Sequence, residues 1–149
     1  MRRVLVLGRG GAGKSVFARR LGALTGIPVV ELDKVFWRPG PAETPRSEWV
    51  ATQRELVAAD TWILDGDLGP YDVLEVRLAE ADTVMLLNFS LVRCASRAVR
   101  RSRERWDFWV WLISYRWRHL PSLRRAIAAS GADLVELRSP RALERFLAR

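Results

Sequence analysis

Apolar residues along the 149-residue chain fall into short runs and helix-spaced stripes that alternate. Arg3 to Leu7 is a run of β-branched and leucine residues that meets glycine, and it predicts a first strand. From Lys14 to Thr25 the apolar positions return at helical spacing, with Phe17, Leu21 and Leu24 on one face. Gly26 and Pro28 stop that helix. Pro28 to Leu32 predicts a second strand, Trp37 to Pro45 a Pro/Gly loop, and Ser47 a cap for a helix running to about Ala59. Trp62 to Leu64 predicts a third strand, ended by Asp65-Gly66. The apolar run Thr83 to Phe89 predicts a fourth, of the kind buried on both faces of a parallel sheet. Leu91 to about Ala129 reads as mostly helix, broken near Pro121. Asp133 to Leu137 predicts a fifth strand, and Pro140 opens a last helix.

Strands separated by helices predict an α/β fold, a parallel sheet covered by helices on both faces. The length suits one domain spanning 1–149. Ligands of such folds sit at the carboxyl ends of the strands. Gly8, Asp33, Asp65 and Ser139 fall at those ends and are expected to face one site.

Composition changes this picture only where charge is located. The formal net charge is +8, from 25 basic and 17 acidic residues. Residues 91–130 hold ten arginines against Glu104 and Asp107, so the whole excess lies in that block. A local positive field of this kind draws phosphates, nucleic acid or an acidic surface. No apolar run approaches the ~20 residues of a membrane helix, and the N-terminus does not read as a signal peptide. Cys94 is the single cysteine, which excludes a disulfide framework and a multi-cysteine metal site and points to the cytoplasm.

The segment Gly8-Arg9-Gly10-Gly11-Ala12-Gly13-Lys14-Ser15 matches G-x-x-x-x-G-K-[ST] between a strand and a helix. Small residues let the backbone wrap closely and turn its N–H groups inward as an anion nest, and the helix dipole adds to the field. Lys14 is placed to reach the β- and γ-phosphates of ATP or another NTP, and Ser15 to hold Mg²⁺ through its hydroxyl. Asp65, at the end of a hydrophobic strand, fits a carboxylate holding the metal's water shell; its other reading is a residue of an Asp-Gly turn. Asp33 can accept a proton from a substrate hydroxyl, or can cap a helix or pair with Lys34 or Arg38.

Together with Glu31-Leu32-Asp33-Lys34-Val35-Phe36-Trp37-Arg38-Pro39-Gly40, Trp62–Gly66, Val76–Asp82 and Leu137-Arg138-Ser139, this loop resembles the small P-loop proteins identified as DNA-topology-modulation (FlaR-related) proteins. Those are similar in turn to adenylate kinases and other small-molecule kinases. The resemblance implies a doubly wound sheet of order 2-3-1-4-5, ATP and Mg²⁺ at Gly8–Ser15, and Asp65 near the metal. It also implies a phosphoryl acceptor facing Asp33 and the Trp37–Trp49 loop, and Arg138-Ser139-Pro140 beside the adenine. The chain differs from the pattern at Glu31 and at Asp67-Leu68. It carries Trp106 to Tyr115 where relatives have a polar lid, so a reduced lid is expected.

Arg93, Arg97, Arg101 and Arg105 recur every four residues and form one stripe on a helix, with Arg100 beside it. Like charges at that spacing destabilise a helix by ~0.2–0.5 kcal/mol per pair, and an anion relieves it. In kinase relatives arginines here clamp phosphate oxygens, which gives Arg97 and Arg101 a catalytic role. The alternatives are a solvated face or a nucleic-acid surface. The tryptophans of 106–117 point all round a helix, which fits core packing, a homodimer interface or base stacking. The leading expectation is a kinase for a small hydroxyl- or phosphate-bearing acceptor. The other is a nucleotide-binding regulator with little turnover, contacting nucleic acid through 91–130.

Overall fold

The computed structural model describes residues 1–40, 42–101, 109–110 and 113–149, with backbone alone for 97, 98, 101 and 116. Five parallel strands form the sheet: β1 (Arg3–Gly8), β2 (Val29–Glu31), β5 (Trp62–Asp65), β6 (Thr83–Leu87) and β7 (Asp133–Leu137). Their order is β2-β5-β1-β6-β7. In running number this is 2-5-1-6-7 rather than 2-3-1-4-5. The difference arises because two short strands, β3 (Trp37–Arg38) and β4 (Ala42–Glu43), intervene in the chain and pair only with each other. They lie inside the stretch expected to be a plain loop.

Among the described residues, helices α1 (Lys14–Thr25), α2 (Leu32–Phe36), α3 (Arg46–Val57), α4 (Leu74–Leu78), α5 (Leu91–Arg101), α6 (Leu120–Ser130) and α7 (Pro140–Leu147) flank the strands. The central strand shows why the sheet is covered on both sides. Val4, Leu5, Val6 and Leu7 are all 0% exposed. Leu5 and Leu7 join a cluster with Leu32, Phe36, Trp49, Leu64, Leu86 and Ile127, whereas Val4 and Val6 join Phe17, Leu21, Ile63, Met85, Cys94 and Leu143. Successive side chains of a strand point to opposite faces, so each residue feeds one of two cores. Full burial of each such side chain contributes about 1.5–3 kcal/mol.

Several local expectations change. Leu32 starts a helix instead of ending a strand, so β2 is three residues long. Helix α3 starts one residue before Ser47, after Pro45, and no side chain caps it. Leu24, expected on the apolar face of α1, is 64% exposed, whereas Phe17 and Leu21 are buried. Near Pro121 the break is a π-helical turn over Tyr115–His119, after which the proline sits in the first turn of α6. No helix among the described residues is long and apolar enough to cross a membrane.

Candidate functional site

A cavity of about 940 Å³ opens above the carboxyl ends of β1, β5 and β6. The loop Gly10–Ser15 forms its floor. Gly8 and Arg9 lie beneath that floor: they do not line the cavity, and Arg9 is only 3% exposed. The Arg9 guanidinium carbon sits 5.6 Å from the centre of the buried Tyr115 ring, a cation–π contact that ties the loop to the segment preceding α6. Two glycines are required by contact. At Gly8 (φ +146°) a Cβ would come within 2.4 Å of the Leu87 carbonyl oxygen, and at Gly11 (φ +75°) within 2.5 Å of that of Cys94. The loop is therefore pressed against both β6 and the first turn of α5.

Lys14 Nζ donates to the carbonyls of Gly8 (3.0 Å) and Arg9 (3.2 Å), which holds the ammonium over the loop. Asp65 is 3% exposed and lines the cavity, and its Oδ1 has no hydrogen-bond partner. Burial pushes its carboxyl up, against the Ser15 hydroxyl bond and the charge of Lys14. Asp33 lies in the first turn of α2, exposed at the cavity rim. The surrounding protein still displaces enough water to push its carboxyl up, against the Lys14 charge and a Trp37 bond. Sequence reading treated Asp67 only as a departure from the family pattern. It also lines the cavity, accepts the Gly69 N–H at 3.0 Å, and is pushed up by burial.

The wall beside these acids is aromatic. Trp37 and Tyr71 line it, with ring centres 5.7 Å apart at 75°, and Phe36 and Trp49 pack behind Trp37. Beneath lies Arg77, 0% exposed, which donates to both carboxylate oxygens of Asp72 (2.6 and 2.7 Å) and to Gln53. On the opposite side, Phe89, Pro140 and Leu143 form an apolar wall with Arg93 and Arg100.

Not every expected residue joins the cavity. Ser139 caps α7, accepting the Ala142 N–H at 3.2 Å, and Arg138 bonds Glu136 at 3.2 Å; neither lines it, whereas their neighbour Pro140 does. The side chains of Arg97 and Arg101 lie outside what is described, as do Trp106, Asp107, Phe108, Trp111 and Leu112 of the expected lid stretch. Arg93 and Arg100 of the same helix reach the cavity. Of the aromatic stretch, Tyr115 is buried and Trp117 is 80% exposed.

The cavity fits Mg²⁺ bound with phosphate. Among the described residues no three His, Cys, Asp or Glu side chains form a metal cage. Ser15 and Asp65 could supply part of a shell, and a hard cation would take its remaining oxygens from ligand and water.

No protein-family model matches the chain, and no curated protein is similar to it in sequence. Solved structures do match. The chain is similar over 99% of its length to shikimate kinase from Acinetobacter baumannii in complex with shikimate (TM-score 0.69, 17% identity, 91% of that chain). It is similar over 99% to a sugar kinase from Janibacter sp. (TM-score 0.54, 20% identity, 93% of that chain). It is similar over 97% to deoxyadenosine kinase from M. mycoides with bound dCTP (TM-score 0.53, 15% identity, 96% of that chain). The fold is thus that of P-loop small-molecule kinases. At these identities the likeness carries the architecture and not the substrate.

Proposed function

We propose that this protein is an Mg²⁺- and ATP-dependent kinase that transfers the γ-phosphoryl group to a small hydroxyl- or phosphate-bearing acceptor. The supporting observation is the continuity of the cavity from the Gly10–Ser15 loop to the side walled by Asp33, Trp37, Asp67 and Tyr71. One space has room for a nucleotide and a second molecule, with Lys14 and Asp33 both on its lining.

In this reading the N–H groups of the loop and Lys14 bind the phosphates. Phe89, Pro140 and Leu143, with Arg138-Ser139 next to them, flank the base. Ser15 and Asp65 hold Mg²⁺, which supplies charge neutralisation on the phosphate oxygens. Asp33, ionised, takes the proton of the acceptor hydroxyl on a carboxylate oxygen. The acceptor oxygen then bonds to the γ-phosphorus as the bond to the β–γ bridging oxygen breaks, and ADP leaves with that electron pair. Arg93, Arg97, Arg100 and Arg101 of α5 balance charge that develops on the transferring group.

Lys14→Ala is expected to abolish calorimetric ATP binding while leaving the fold intact. Asp65→Asn should weaken the Mg²⁺ dependence of binding. Equal ATP affinity in the Lys14 variant and the parent would remove the phosphate site. An unchanged metal titration in the Asp65 variant would make Asp65 a turn residue. A second reading, a nucleotide-binding regulator that contacts nucleic acid, is favoured by the exposed Trp117 beside the arginines of 91–130.

A further inference from the structure

The cavity is electrically divided, and the sheet order divides it. The central strand β1 delivers the phosphate loop. On the β2–β5 side stand Asp33, Asp65 and Asp67 with the rings of Trp37 and Tyr71 and the Arg19–Glu31 pair; on the β6–β7 side stand Arg93 and Arg100 with the Arg20–Glu144 pair. We propose that the β2–β5 side takes a small polyhydroxyl compound without negative charge, such as a polyol, sugar or nucleoside, and rejects carboxylate- or phosphate-bearing analogues. This rests on the kinase reading above and specifies its acceptor.

Among the described residues, the cations flanking that side are paired with other groups. Lys34 and Arg38, next to Asp33 and Trp37 in the chain, pair with Glu31 and Glu48, and both terminal nitrogens of Arg77 are bonded to the buried Asp72 carboxylate. Arg19 pairs with Glu31 at 2.8 Å, and Arg20 with Glu144 at 2.5 Å. Lys14 lies on the loop carbonyls, where donor phosphates would engage it. An anionic group beside Asp33 and Asp67 would meet like charge, which disfavours it in a partly desolvated site. Hydroxyl groups find the opposite: the carboxylate oxygens of Asp33 and Asp67, which accept their O–H bonds. Two aromatic rings offer an apolar wall to the C–H face of a sugar or to a flat base.

The test uses the full chain and matched pairs: ribose and ribose 5-phosphate, glucose and gluconate, adenosine and AMP. ADP release is measured with ATP and Mg²⁺, and binding is measured separately by calorimetry without ATP. In at least one pair the neutral member should be bound and turned over, with its anionic partner at least about tenfold poorer in both. Asp67→Asn should narrow that ratio by improving the anionic partner, whereas a merely structural role would weaken both alike. Tighter binding of the anionic member, or no binding by any member, overturns the proposal. Binding of a neutral member without ADP release would instead defeat the kinase reading and leave the pocket assignment standing.

Discussion

At the scale of single residues, Arg77 and Asp72 decide more than any side chain that sequence reading singled out. Burial pushes the Asp72 carboxyl up, but the bonds and charge of Arg77 outweigh it and hold it below the usual range. Removing one partner of a buried ion pair leaves the other uncompensated, at a cost of about 3–5 kcal/mol. Arg77→Met should lose stability on that scale in urea unfolding at neutral pH, and a loss under about 1 kcal/mol would show that the pair is dispensable. The pH dependence has two signs. Asp72, lowered in the folded state, contributes stability that is present above its unfolded value of about 3.9 and is lost as pH falls through the folded one. Asp33, Asp65 and Asp67 are raised, so the folded state binds their protons more readily and stability rises as pH falls through their folded values. Stability should therefore peak on the acid side of neutrality and collapse below about pH 4. Asp72→Asn should flatten the collapse and spare the rise. None of this was legible along the chain. Asp72 and Arg77 are five apart, off any shared helix face, and meet only because a 3₁₀ turn at Gly69–Tyr71 precedes α4.

At the scale of elements, the phosphate loop was readable because its conformation is written locally, in glycines whose positive φ angles and close contacts admit no other residue. The aromatic wall was not. Trp37 and Tyr71 stand far apart in sequence and converge through β3, the 3₁₀ turn at Gly69–Tyr71 and the packing of Phe36. Likewise Ser139 was read as a ligand contact because strand ends gather ligands, yet the free N–H groups at the start of α7 claim its hydroxyl. The contact between Gly11 and α5 carries its own consequence: the arginine helix takes its position from the loop. Gly11→Ala would place a methyl 2.5 Å from the Cys94 carbonyl at a φ of +75°. The backbone strain alone is worth about 1–3 kcal/mol. Thermal unfolding with and without ATP should show a lower Tm and a smaller ATP-induced rise than in the parent. A full ATP-induced rise in that variant would mean that α5 and the loop are independent.

At the scale of the whole molecule, charge is what distinguishes the two functional readings. The formal excess of +8 resides in residues 91–130, and among the described side chains of that block Arg93 and Arg100 are the arginines that reach the cavity. Other arginines of the block face outward: Arg125 is exposed on α6 and bonds only its neighbour Ser122 in the described contacts. A phosphate clamp needs few arginines at fixed positions, whereas a nucleic-acid surface sums many equivalent ones. If α5 is a clamp, Arg100→Ala should cut turnover by roughly the 10³-fold associated with arginine clamps, while Arg125→Ala leaves it within about twofold. Oligonucleotide binding would then be weak and indifferent to which arginine is removed. If the block is a nucleic-acid surface, both variants should lose a similar small increment of affinity. Its logarithm should fall with that of salt at a slope near −0.9 per phosphate contacted on a duplex, and Trp117 fluorescence should be quenched by single strands. Steady-state ADP release for the two variants, beside an oligonucleotide titration at two salt concentrations, separates the cases. Equal turnover in both variants together with tight, salt-sensitive oligonucleotide binding would reverse the assignment of α5.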